Sequence, residues 1–128
     1  MHVTDLDRSK AFFEALGYHF NPQFTDANAA CLVIGDTIFA MLLTTESMNR
    51  FLPKGRTIAD PMKTTETLLA LSCESKGAVD AVFTKAIAAG GSECRPTEDH
   101  GFMYGRSFND LDGHIWEVFW YDPAEMKG

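Results

Sequence analysis

Glu117 is the residue whose setting most plainly invites chemistry. It lies between apolar neighbours in IWEVFWY, Ile115 to Tyr121. Strand alternation places it on one face with Ile115 and Phe119, opposite His114, Trp116 and Val118. If that face lines a cleft, desolvation raises the carboxyl pKa and makes Glu117 a general base or a hydrogen-bonding anchor. The competing reading is a carboxylate spent on a basic partner, and Arg106, in MYGRSF on the adjacent strand, is one such partner. Arg106 itself offers a planar fork of donors suited to a substrate carboxylate or phosphate. A structural ion pair is its more ordinary use. His114 and Glu117 are separated by two residues, an odd offset that sends them to opposite strand faces, so they make a poor metal pair. His114 reads better as a surface or turn-stabilising residue. His100, in the polar loop EDHG, is either solvated or a proton carrier at a cleft mouth. His2 and His19 show no partner in sequence.

Cys31, Cys73 and Cys94 are an odd number without C-x-x-C spacing, which indicates neither a disulfide framework nor a zinc knuckle. None has an activating base nearby in sequence, so none reads as a nucleophile. No Gly-rich phosphate loop, Ser-His-Asp order or Cys-His arrangement stands out.

These residues must be positioned by a small protein. The chain has 128 residues, 45% of them hydrophobic, enough for one core and too few for a long second domain. A formal charge of -7 argues against neutralising phosphates of nucleic acid or an anionic membrane, and leans toward a cationic or neutral ligand. No apolar run reaches the roughly 18 to 20 residues of a membrane span, and the start lacks a signal-peptide pattern. The expectation is a cytoplasmic protein.

Apolar spacing predicts a helix over Asp7 to Leu16, capped by Asp7 and stopped by Gly17. Extended segments follow at Tyr18 to Phe24, Cys31 to Ile34 and Ile38 to Leu43, with a turn at Gly35-Asp36. Residues 45–63 hold Pro53, Gly55 and Pro61 and read as a linker, in which Met48, Phe51 and Leu52 pack down on something. A strand at Thr67 to Ser72 and a helix from Lys76 to Ala89 come next, the helix ended by Gly90-Gly91. Glu93 to Pro96, Phe102 to Phe108 and Ile115 to Tyr121 complete the extended pieces. The second half thus repeats the first. The expected division is a first module over 1–44, the linker, a second module over 64–122, and a tail over 123–128. Aligning Gly35 with Gly113 pairs Thr37 with Ile115, Phe39 with Glu117 and Met41 with Phe119. Only Met1 to Thr4 precede the helix region, so the opening strand of the first unit reads as truncated or as completed by residues outside this sequence.

The opening VTDLDRSKAFFEALGY (Val3 to Tyr18) resembles the D-x-x-R-S-x-x-F-Y segment that begins vicinal-oxygen-chelate modules. The closing GFMYGRSFNDLDGHIWEVFW (Gly101 to Trp120) is similar to their D-P-D-G-x-x-x-E ending, with Asp110, Asp112, Gly113 and Glu117 in register. This resemblance to the glyoxalase, bleomycin-resistance and extradiol dioxygenase proteins covers nearly the whole chain. It implies an α+β fold: two tandem βαβββ modules forming a curled mixed sheet around a cleft, commonly completed by a second subunit, hence a homodimer. In metal-using relatives, His, Gln or Glu side chains from the first and last strands of each module hold the cation. Carried over, those positions are Glu117, then Phe39 and Leu68, which cannot coordinate, and one upstream of Met1. A single carboxylate is too few for a divalent cation.

The reading that follows is a small-molecule binding protein without the usual metal. It would use Glu117, with Phe39, Leu68, Met41, Arg106 and Phe119 around the ligand, as the bleomycin-resistance branch suggests. The alternative is a glyoxalase-like lyase or dioxygenase using Zn, Ni, Mn or Fe held by Glu117 with Glu66 or His100. A third is a structural or regulatory module with no ligand. Whether the chain is an enzyme stays open between these. No nucleic acid or membrane partner is expected.

Overall fold

A computed structural model describes residues 1–125; of the tail expected over 123–128, residues 126–128 lie outside the described residues. The chain divides into two compact units, Met1–Asp60 and the residues from Pro61 onward. The segment read as a linker is therefore shared, 45–60 falling in the first unit and 61–63 in the second.

The first unit opens with helix α1 (Leu6–Ala15). Its cap is Asp5, whose carboxylate accepts the backbone N–H of Arg8 at 3.0 Å, and Asp7 instead supplies acid to the first turn. The cap is thus two residues earlier than expected. Leu6, Phe12, Phe13 and Leu16 are buried together with Ala30, Leu32 and Leu42 of the sheet. That sheet is an antiparallel meander of β1 (His19–Asn21), β2 (Ala29–Val33) and β3 (Phe39–Leu43). The expected strand through Phe24 is cut short because Asn21 caps a 3-10 turn at Pro22–Phe24. Helix α2 (Thr45–Phe51) lies within the segment read as linker. Thr44 caps it by accepting the N–H of Ser47, and Glu46 sits in its first turn. Pro53 and Gly55, just beyond it, masked this local signal.

The residues ahead of α1 pair with β3. His2 bridges Leu43 in parallel, Val3 N–H donates to the Leu43 carbonyl at 2.9 Å, and Leu43 N–H donates to the Met1 carbonyl at 2.8 Å. The first unit thus keeps a short parallel neighbour beside β3.

The second unit runs β4 (Leu68–Ser72), α3 (Lys76–Ala88), β5 (Ser92–Asp99), β6 (Met103–Asn109) and β7 (Ile115–Tyr121), with a 3-10 turn at Pro123–Glu125. Its sheet has the order β4-β7-β6-β5, with β4 parallel to β7 and the other pairs antiparallel. This is the βαβββ order expected, and the two sheets and three helices make an α+β fold. Helix α3 covers one face, where Val79, Phe83 and Ala86 meet Phe108, Trp116 and Val118. Strand β5 extends to Asp99, past the expected end at Pro96. It does so through register shifts on both sides of Arg95, which accommodate a residue with no N–H to donate.

Candidate functional site

The sheet face of the second unit turned away from α3 carries the chemistry. Cross-strand register sets Arg95 of β5 against Ser107 of β6, Ser107 against Glu117 of β7, and Glu117 against Ala70 of β4. These four residues form one row across the sheet. The alternation that put Glu117 with Ile115 and Phe119 holds, since Trp116 and Val118 are buried under α3. Arg95 reaches over β6, and its Nη2 donates to Glu117 Oε1 at 2.5 Å. Its backbone N–H donates to Ser107 Oγ at 3.1 Å. The hydrogen bond to Glu117, followed by attraction to the same carboxylate, raises the guanidinium pKa despite some desolvation. Glu117 is part-exposed, with 28% of its side chain accessible, and Arg95 more so at 42%. A concavity of about 250 Å³ lies over this row, lined by Arg95, Glu98, Met103, Ser107, Glu117 and Phe119 among others.

The partner considered for Glu117 was Arg106, and there the structure differs. Arg106 pairs in register with Val118, so its side chain leaves on the helix face. Its guanidinium lies 3.6 Å from the Phe83 ring centroid and 3.1 Å from Asp80 Oδ1, with Glu93 at 3.7 Å. Tyr104 O–H also donates to Asp80, at 2.6 Å. Arg106 borders the concavity by position, but its charge is spent on α3 rather than offered to a ligand. Arg95, which does face the concavity, lies inside the expected segment Glu93 to Pro96, but nothing in that segment shows which side chain of β7 it meets. Only the ladder register reveals that it lies one strand beyond Ser107, within reach of Glu117.

Register also revises the equivalence between the units. The β2–β3 and β6–β7 turns each span five residues, between the pairs Val33/Phe39 and Asn109/Ile115. Gly35 is the second residue of its turn and Gly113 the fourth. Aligning the two glycines therefore displaced the strands by two residues. By hairpin register, Met41 rather than Phe39 corresponds to Glu117. The parallel bridges agree: Leu43 neighbours His2 and Phe119 neighbours Ser72, each four residues before its helix begins. Phe39 and Met41 are both exposed on the first unit's sheet. On β4, Ala70 stands beside Glu117, while Leu68 stands beside Ile115 and is 55% exposed.

The donor set does not fit a divalent cation. Among the described residues, no three His, Cys, Asp or Glu side chains converge. One oxygen of Glu117 already faces a guanidinium, and neither Met41 nor Ala70 offers the hard oxygen or imidazole donor such a site requires. Glu66 lies exposed ahead of β4, and His100 sits 3.5 Å from Glu98 with its ring 6.3 Å from that of Phe102. Cys73 is half-buried, and desolvation raises its thiol pKa, the opposite of what a nucleophile needs.

The closing motif serves the fold. Asp110 Oδ1 accepts the N–H groups of Asp112 and His114, and its Oδ2 accepts the indole N–H of Trp116. Gly113, at φ +96°, completes the turn. Two of the residues that carried the resemblance thus fix the β6–β7 hairpin and so aim Glu117.

A parallel first strand, a covering helix and an antiparallel run of three strands in the second unit, with a parallel bridge, a helix and a three-stranded meander in the first, define a protein of the glyoxalase and bleomycin-resistance fold. The comparisons agree. Residues 1–35 match the family described as bleomycin resistance protein-like N-terminal. A hypothetical protein from S. aureus is 27% identical over 94% of this chain and 88% of its own, with a TM-score of 0.77. A glyoxalase/bleomycin resistance protein/dioxygenase family enzyme from Burkholderia phytofirmans is 16% identical, with 94% of each chain covered and a TM-score of 0.77. The fosfomycin resistance protein from Mesorhizobium loti is 16% identical over 97% of this chain and 89% of its own, at a TM-score of 0.68. No curated protein sequence matches the chain. The chain shares the fold of these glyoxalase and bleomycin-resistance proteins, and its first 35 residues match their N-terminal family model.

Proposed function

We propose that this protein binds a small, partly apolar molecule bearing a cationic group on the open sheet face of its second unit, without a metal ion. The observation that carries the reading is the occupation of Glu117 by Arg95. The carboxylate at the position that metal-using relatives would employ is engaged by a protein cation. The surrounding side chains suit a ligand of this kind. Glu98 and Glu117 set two negative charges against one guanidinium, while Met103 and Phe119 offer apolar area. A concavity of about 250 Å³ falls just below the roughly 300–1,000 Å³ of drug-sized sites, which favours a small ligand. Sequestration of a toxic compound is the biological role this implies, and a resistance protein among the structural neighbours is in keeping with it. A cytoplasmic homodimer is part of the same proposal.

The test is elemental analysis of dialysed protein together with thermal unfolding in the presence of phenethylamine, a small apolar cation. The expected result is substoichiometric metal and a rise in Tm. Saturation at a hundred times Kd corresponds to about 2.7 kcal/mol of added stability. Stoichiometric zinc, nickel, manganese or iron would overturn the reading in favour of a metal-dependent lyase or dioxygenase.

A further inference from the structure

Arg95 does more than occupy Glu117. Its guanidinium carries five N–H donors. Among the described residues Glu117 accepts one of them, which leaves four without a protein acceptor. The guanidinium is nonetheless held at a fixed place. Its backbone is tied to Ser107 Oγ, and its head is tied to Glu117, at the wall of the concavity. A fork of donors fixed in advance is suited to an oxyanion, because little side-chain entropy remains to be lost when the anion arrives. Beside it, Glu117 Oε2 accepts no hydrogen bond from a described residue, and Glu98, 3.5 Å from His100, is also attracted to the Arg95 charge.

We infer that Arg95 is the specificity-determining residue of this site and that the ligand is a small zwitterion. Its oxyanion lies on the open donors of Arg95, its ammonium on Glu117 and Glu98, and its apolar part on Phe119 and Met103. The charge balance decides for this class. A purely anionic ligand meets two carboxylates for one guanidinium. A purely cationic one leaves the prearranged donors facing its apolar part, where an unmatched buried donor is costly. A zwitterion satisfies both sets and brings no net charge into the concavity. This inference rests on the binding reading above and narrows its ligand class.

Three probes of one frame separate the charges: phenylalanine (zwitterion), phenethylamine (cation only) and 3-phenylpropionate (anion only). Backbone amide shifts of Gly105, Ser107 and Glu117 in the 15N-labelled full chain report binding. The expected order is phenylalanine tightest. Arg95→Gln should weaken phenylalanine and 3-phenylpropionate by about tenfold or more, as loss of a charged hydrogen bond requires, and should not weaken phenethylamine, whose ammonium loses a competing cation at Glu117. Arg95→Lys, which keeps the charge but not the fork, should fall between. Because Arg95 is part-exposed, both variants should fold, and their Tm values check this. If phenethylamine binds as tightly as phenylalanine and Arg95→Gln alters neither, the zwitterion inference fails while the binding reading stands. If no probe shifts these amides, both fail.

Discussion

Asp110 Oδ2 accepts the indole N–H of Trp116 at 2.9 Å while Oδ1 of the same carboxylate accepts two backbone N–H groups, so one buried side chain satisfies three donors. An amide cannot do this. In Asp110→Asn the carbonyl can serve one side of the turn, but its NH2 must then face another donor. The expected loss is about 1–3 kcal/mol of unfolding free energy, read by urea denaturation. A variant as stable as the parent would show that the carboxylate does not hold Trp116.

The same residue sets a pH dependence. Burial raises the Asp110 pKa above 3.8, partly opposed by the Trp116 hydrogen bond. A raised carboxyl pKa means that the folded state holds its proton after the unfolded chain has lost it. The contribution is therefore fully present below about pH 3.8 and declines as pH rises through the folded-state value. Stability curves of the parent and Asp110→Asn should converge as pH rises over this interval. Divergence would contradict the sign.

Asp80 behaves in the opposite sense. The hydrogen bond from Tyr104, aided by the hydrogen bond and charge of Arg106, holds its carboxyl below 3.8 against the opposing effect of desolvation. Its contribution is present above pH 3.8 and is lost as pH falls through the lower folded-state value. Tyr104→Phe removes the largest cause, and the Asp80 pKa measured by NMR should move up toward 3.8. The reciprocal effect is on the phenol: its hydrogen bond to Asp80 is the main cause raising the Tyr104 pKa above 10, and Asp80→Asn should bring it back down in an ultraviolet titration.

How much of this was legible depends on whether the signal was local or came from register. Ile115 to Tyr121 is recovered with its bounds intact because a glycine turn and a run of β-branched and aromatic residues both lie in the sequence. The first helix is placed by the sequence, but Asp7 and Asp5, two residues earlier, are equally good hydrogen-bond acceptors in sequence terms, and the cap falls on Asp5 rather than the expected Asp7. Helix α2 was lost because Pro and Gly nearby outweighed the Thr44 cap. The facing of Glu117 could be read from alternation alone. Its partnership with Arg95 could not, since it depends on register shifts in β5 and on which strands adjoin in the sheet. The two-residue error at Phe39 has the same root: a turn's glycine marks where φ is positive, not where the flanking strands begin to pair. Gly113 has φ +96°, and Gly35 is not among the positive-φ glycines.

Gly113 gives the last prediction its sharpest form. A Cβ there would lie 2.7 Å from Met62 Sδ and 3.2 Å from the Met62 backbone nitrogen, in a left-handed conformation that L side chains rarely adopt. Gly113→Ala therefore suffers both backbone strain and a steric clash, and should cost about 1–3 kcal/mol. The two causes are separable. The sulfur belongs to a flexible side chain and the nitrogen does not, so Met62→Ala in the Gly113→Ala background should recover only the part due to the thioether. Urea midpoints of the two single variants and the double variant form a cycle whose coupling energy measures that part. Because the turn aims Glu117, Gly113→Ala should also weaken phenylalanine binding. Unchanged stability together with unchanged binding would mean that the turn does not position the site.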